Sequence, residues 1–367
     1  LAAHVVKTPS SARGSNLLEE LKNHTIVLSD DSLEVLTKPQ DAKSSAAVVN
    51  FGLLSHILAN TSAFYELANA MEKGVARVTS EHPGDEEAAL DQALVNVAQM
   101  LKDSVLGRIA VEVDPRVAND TEALLQRARS LVKRFEESSI TTDRLLLEIP
   151  GTWAGIQAVK QLEAEGIQCQ LIHIYSFAQA VAAVKAKVST VVVNITHINL
   201  WYDRNPGAIR DPHGPRQDAG CDSTSVNVGV RMATAIYCYA HQQGETKVII
   251  SGVRKENEVL QLAGVDYMVV PSIIANQMES QGTLRGYNDG FSAASVPDYS
   301  GGMPVLTEEL AATTEFRADE VADVSEQDFD SELGMAGLQL LQSKVQGDCA
   351  SVEKVAELLS HVVVARE

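Results

Sequence analysis

From about residue 25 onward, the chain alternates two hydrophobic periods. Short β-rich runs give way to longer stretches with apolar residues three and four apart, the pattern of strand and helix units around a parallel sheet. The strand-like runs are TIVLS (25–29), DAKSSA (41–46), GRIAVEVD (107–114), LLLEI (145–149), QCQLIHIY (168–175), TVVVNI (190–195), KVIIS (247–251) and YMVVPS (267–272). Their apolar continuity predicts strands covered on both faces. Between them, helical spacing runs from Ala47 to Leu106, broken at His82-Pro83-Gly84-Asp85. Asp120-Thr121-Glu122 opens the next helix with acids near the positive end of its dipole, Thr152 caps one running to about Glu165, and Ser176 caps FAQAVAAVKA. Eight such units in this length predict a closed (β/α)8 barrel over an open sheet.

The remaining segments set the domain plan. Residues 1–17 read as an N-terminal arm, 18–278 as the barrel, 279–332 as an acidic, loop-rich connector, and 333–367 as a C-terminal helical segment packing back on the barrel. Within the barrel, DRNPGAIRDPHGPRQDAGC, from Asp203 to Cys221, reads as a surface loop at the active-site end. The acidic connector reads as a solvated link, since acidic tracts mostly solvate.

Charge narrows the functional classes. Lys and Arg total 30 against 49 Asp and Glu, a formal net charge of -19, which repels nucleic-acid phosphates and anionic lipid. No apolar run approaches the roughly 20 residues of a spanning helix. Cys169, Cys221, Cys238 and Cys349 lack paired metal spacing, so reduced structural thiols are expected and no metal site. The first 18 residues hold Lys7, Arg13 and several serines but no acid, the text expected of a processed end or the remainder of an organelle transit segment.

The stretch RLLLEIPGTWAGIQAVKQLEAEGIQCQLIHIYSFAQAVAA resembles the transaldolase family, whose members move a three-carbon dihydroxyacetone unit between sugar phosphates through a Schiff base. The likeness covers roughly residues 18 to 275 and continues more loosely to the C-terminus, with GRIAVEVDPRVANDTEA, SFAQA, LWYDRN and LAGVDYMVVPS in family order. It implies a (β/α)8 TIM barrel of the class I aldolase type, no cofactor, and a cytosolic or plastid location; the acid-poor start favours the plastid.

Site residues follow from the resemblance position by position. The Schiff-base lysine, which precedes Thr-Trp-x-Gly-Ile, falls at Glu148, and a carboxylate has no nitrogen with which to form an imine. The third-strand glutamate is kept as Glu112 and a phosphate-contacting arginine as Arg254. The first-strand aspartate aligns with Ser29 or, shifted by one residue, Asp30. Thr-Asn-Pro-Ser becomes Ser44-Ser45-Ala46-Ala47, placing Ser45 where the substrate-holding asparagine would be. The water-positioning threonine becomes Ile172, the second phosphate arginine becomes His197, and the serine beside Arg254 becomes Gly252. His197 lacks the fork of Arg, and a charge-assisted hydrogen bond to phosphate, of the kind that fork makes, is worth about 1.5 to 3 kcal/mol.

Lys43, at the second strand, admits two readings: a relocated Schiff-base lysine, or an ion pair with Glu148. A carboxylate neighbour raises a lysine's pKa, which favours the pair. Glu112 and Arg254 also read as groups that satisfy one another and nearby backbone, His173 as a hydrogen-bonded core histidine, and Tyr175 as a family aromatic. The expectation is a transaldolase-like barrel without transaldolase activity, kept as a structural, scaffolding or regulatory subunit with protein partners. Its alternatives are an active transaldolase or aldolase using Lys43, and a sugar-phosphate sensor using Arg254 with weak binding.

Overall fold

The computed structural model describes residues 16–29, 46–81, 84–206, 208, 227–281 and 305–364. Numbered along the chain, the strands are β1 Ile26–Ser29, β2 Ala47–Val49, β3 Ile109–Glu112, β4 Leu145–Pro150, β5 Cys169–Ile174, β6 Thr190–Asn194, β7 Lys247–Ser251 and β8 Tyr267–Val270. They are parallel, alternate with helices, and follow the sheet order β1-β8-β7-β6-β5-β4-β3-β2, the topology of a (β/α)8, TIM-barrel-type α/β fold. The described residues fall into two units, one drawn from Asp31–Ile172 and Leu341–Glu367, the other from His4–Asp30 and His173–Leu340.

The first unit contains β2, β3, β4 and the start of β5, with helices α2 Phe51–Ala59, α3 Tyr65–Glu81, α4 Glu86–Leu101, α5 Thr121–Glu137 and α6 Trp153–Ala164. Every residue of β4 is buried, as a strand covered on both faces requires. Helix starts are specified locally: Asn50, Asp85, Asp120 and Thr152 each accept a backbone N–H of the first turn. The outer helices press Leu124, Leu131, Phe135, Ile156 and Leu162 into the core, each nearly fully buried and each worth about 1.5 to 3 kcal/mol of transfer free energy. One buried ion network accompanies them. Arg127 donates to Asp91 at 2.8 and 3.3 Å and to Glu87 at 3.1 Å, and lies 3.8 Å from Asp114. Burial pushes Asp91 up to about 6 although Arg127 pulls the other way.

The second unit holds β1, β6, β7, β8 and the end of β5, with helices α1 Leu17–His24, α7 Phe177–Lys185, α8 Ile195–Arg204, α9 Val228–Gln243, α10 Glu256–Gln261, α11 Ser272–Glu279, α12 Glu308–Thr313 and α13 Phe329–Glu332. A last helix, α14 Gly334–Val364, starts in this unit and continues into the first. Ser176 and Gln179 form a reciprocal capping box on α7. Trp201 is buried and donates through its indole N–H to Gln339 at 2.9 Å, which ties α8 to the start of α14.

Two expectations change. The second strand is Ala47–Val49, where helix was expected; the strand expected at 41–46 lies outside the described residues except for Ala46. Two β-branched valines suit the pleat, and Asn50 then caps α2 through the N–H of Leu53 at 2.8 Å, so helix cannot begin earlier. The acidic connector is also more than a solvated link. Its described part, 305–332, carries α12 and α13, and buries Leu306, Ala311, Glu320 and Phe329. Phe316 stacks on Phe177 at 5.3 Å and meets Tyr239 edge-on at 5.5 Å, while Lys185 donates to Asp323 at 2.6 Å. A few apolar anchors among many acids are enough to hold this segment to its helices.

Candidate functional site

In the first unit, sheet register assembles an acidic cluster. Glu112 pairs with Glu148 across β3 and β4, and Glu148 pairs with Gln170 across β4 and β5. Register partners in a parallel sheet share a face, so the three polar side chains sit side by side on otherwise apolar strands. All are buried, with Glu112 3% exposed, Glu148 7% and Gln170 4%. Glu112 Oε2 accepts the N–H of Phe51 at 2.8 Å, at the start of α2. Glu148 Oε1 accepts from Gln170 Nε2 at 2.6 Å.

Burial raises both carboxyls. Glu148 is pushed up to about 7 by desolvation, against the Gln170 hydrogen bond that pulls it down, with the charge of Asp348 on α14 adding to the rise. Glu112 is raised well above the carboxylate range by desolvation, then by Asp348, while the Phe51 N–H opposes and Glu148 and Asp114 add to it. Gln170 Oε1 is buried without a hydrogen-bond partner. A protonated Glu148 facing a turned-over amide would donate its O–H to that oxygen and satisfy both groups. The cluster can therefore store a proton near neutrality, and it offers no nucleophilic nitrogen.

In the second unit, the ends of β6 and β7 carry the other predicted residues. His197 lies in the first turn of α8, half-buried, its N–H held by the Asn194 side chain at 3.0 Å. The Thr196 hydroxyl donates to the Gly252 carbonyl, joining that turn to the end of β7. Gly252 adopts φ 73°, and a Cβ there would collide with the Asn194 carboxamide, so the close approach requires glycine. Arg254 is exposed, and its backbone N–H donates to Glu258 at 2.7 Å. His197, Gly252 and Arg254 thus belong to adjoining strand ends, whereas Glu112 and Glu148 form the cluster of the first unit. Asp30, Lys43 and Ser45 lie outside the described residues, as does the ion pair expected between Lys43 and Glu148. Ile172 ends the strand pairing opposite Pro150.

Three features escape a reading of the sequence. Gln170 is legible as a polar residue inside an apolar strand, but its partner follows only from register. Asp348 is far along the chain, and nothing local links it to the cluster. His173, expected as a core histidine, is half-buried with φ 63° and meets the Tyr175 hydroxyl. Among the described residues, no group of three or more His, Cys, Asp and Glu is arranged to hold a metal ion, and no helix is long and apolar enough to cross a membrane.

Comparison with known proteins adds the family signal. Residues 50–334 match the transaldolase/fructose-6-phosphate aldolase family model. The chain is 28% identical over 292 residues to a transaldolase of Methylococcus capsulatus (strain ATCC 33009 / NCIMB 11132 / Bath), covering 77% of this chain and 83% of that protein. It is 31% identical over 277 residues to a transaldolase of Shewanella sp. (strain MR-4), covering 74% of this chain and 81% of the relative.

Proposed function

The chain belongs to the transaldolase/fructose-6-phosphate aldolase family, and from that premise we propose that it keeps the family's barrel without the imine chemistry, serving as a structural, scaffolding or regulatory subunit of a larger assembly. The observation that carries this reading is Glu148. On the alignment of RLLLEIPGTWAGI, a carboxyl stands where the resembling enzymes place their lysine, and no tuning of its pKa supplies a nitrogen.

The surroundings of Glu148 support the same reading. A lysine poised to attack a carbonyl must spend part of its time as the free amine, which a neighbouring cation or a desolvated pocket favours. Here desolvation acts on carboxyls instead: Glu148 and Glu112 lie side by side and are both raised. Glu148 accepts a hydrogen bond from Gln170, so the position serves as a buried polar contact whose carboxyl is raised by desolvation. Fold and chemistry separate readily in this architecture, because the barrel core does not depend on the identity of the strand-end groups.

Borohydride reduction in the presence of fructose 6-phosphate, followed by mass mapping, tests the proposal. The expected result is recovery of unmodified protein; a reduced three-carbon adduct on any lysine, Lys43 included, would overturn it. The subunit role is checked by purification from the native source at low salt, where co-migration with a stoichiometric partner is expected and a free monomer would refute it.

A further inference from the structure

A groove of about 780 Å3 lies between α3, α4 and the turn after α5, all in the first unit. Met100 and Lys102 line it where α4 ends ahead of β3, and Ser138 and Ser139 where α5 ends ahead of β4, so it sits beside the N-terminal ends of these strands. Enzymes of the (β/α)8 fold carry their chemistry at the opposite, C-terminal ends.

The wall of the groove is polar in one particular way. Three carboxamides spend donors on their own surroundings: Gln92 Nε2 donates to Asn96 Oδ1 at 2.8 Å, Asn96 Nδ2 to the Ala70 carbonyl at 2.9 Å, and Gln99 Nε2 to the Ser138 carbonyl at 2.8 Å. Gln92 Oε1 and Gln99 Oε1 are left in the lining as acceptors without a donor among the described residues. The wall is closely built, since a Cβ on Gly74 of α3 would collide with the Asn96 carboxamide. Charge is the second feature. Lys73 and Lys102 both line the groove, and neither forms an ion pair among the described residues, although 49 acids outnumber 30 bases in the chain. The acid of the lining, Glu137, lies 4.0 Å from Lys133. The groove thus presents unpaired cations on a protein whose formal net charge is -19.

We propose that this groove docks an extended acidic peptide segment of a partner protein. Carboxylates of the segment meet Lys73 and Lys102, its backbone N–H groups meet the oxygens of Gln92 and Gln99, and Met100, 42% exposed, adds an apolar contact. The two demands together select a peptide. A phosphate offers charge to the lysines but no N–H to the carboxamide oxygens, and a long polyanion is repelled by the rest of the surface. The inference rests on the subunit role proposed above and gives that role a surface, one that leaves the C-terminal ends of the strands uncovered.

The test is fluorescence anisotropy of a dye-labelled hexaglutamate peptide titrated with the full chain at low salt. Saturable binding is expected, against a net charge that opposes it. Lys73→Gln and Lys102→Gln should each raise Kd about 3-fold and together about 10-fold, the size of two exposed ion pairs. Lys160→Gln, exposed and outside the groove, should leave Kd unchanged. An oligoacrylate of equal charge has carboxylates but no N–H groups, and it should bind at least ~10-fold more weakly than the peptide. Absence of saturation at millimolar peptide, an equal loss in Lys160→Gln, or oligoacrylate bound as tightly as peptide overturns the proposal. The outcome is separable from that of the proposed function: a borohydride-trapped lysine refutes the function whatever the peptide does, whereas absent peptide binding without an adduct removes this contact alone.

Discussion

Replacing Glu148 with glutamine should change how stability depends on pH more than it changes stability itself. Glu148 ordinarily would titrate at 4.5, and in the fold it is pushed up to about 7. Below 4.5 both the folded and the unfolded chain carry this proton, so the group's contribution is fully present. As pH rises toward about 7, the unfolded chain releases the proton while the folded chain retains it, and stability falls. Above about 7 both states are ionised and the loss is complete, amounting to about 3 kcal/mol at 1.36 kcal/mol per pKa unit. The glutamine introduced by Glu148→Gln cannot titrate, yet its amide can still pair with Gln170. Urea unfolding of both proteins between pH 4 and 8 would measure the difference directly. Glu148→Gln should gain on wild type by about 3 kcal/mol across that window, with the gain centred between pH 4.5 and 7. Glu112 titrates with Glu148 as a coupled pair, so the wild-type curve belongs to both carboxyls. Stability curves that stay parallel throughout would refute the assignment of a stored proton to Glu148.

Arg127→Met should cost about 3 to 5 kcal/mol at pH 8, because it strands the buried Asp91 without its cation. The loss should shrink at pH 5, below the value of about 6 to which Asp91 is already raised, and equal losses at both pH values in urea unfolding would contradict this. Gly252→Ala should lose more stability than Gly166→Ala. Both glycines have left-handed φ, 73° and 86°, but only Gly252 has Asn194 in the way, while the space around Gly166 is open. Gly166→Ala should cost about 1 kcal/mol and Gly252→Ala at least about 2, read as the shift in thermal midpoint of each variant.

What the sequence disclosed was mostly local. Thr152 caps α6 and Ser176 boxes α7 because a hydroxyl three residues before an unpaired N–H meets it whatever else surrounds it. The apolar run of β4, broken only by Glu148, announced a strand covered on both faces. Long-range facts were hidden for the same physical reason. Nothing in QCQLIHIY says that Gln170 lies opposite Glu148, since a one-residue slip of register would put it on the other face. The left-handed φ of His173 is invisible to periodicity, being imposed by Gln179 six residues later. The connector misled because its acids dominate its composition, whereas its attachment depends on Phe316, Leu306 and Phe329.

The two polar clusters differ in a way that bears on function. At Glu112 and Glu148 the fold places like groups in register and removes water from both, so the cheapest state is a protonated one, and the groups satisfy neighbours such as Phe51 and Gln170. At His173, Tyr175 and His197 the fold accepts a strained backbone and leaves two imidazoles half-exposed, which stability alone does not ask for. The two clusters therefore differ in what holds them: desolvation and a neighbouring amide govern the carboxyl pair, whereas a backbone brace from Gln179 governs the conformation of the histidine row.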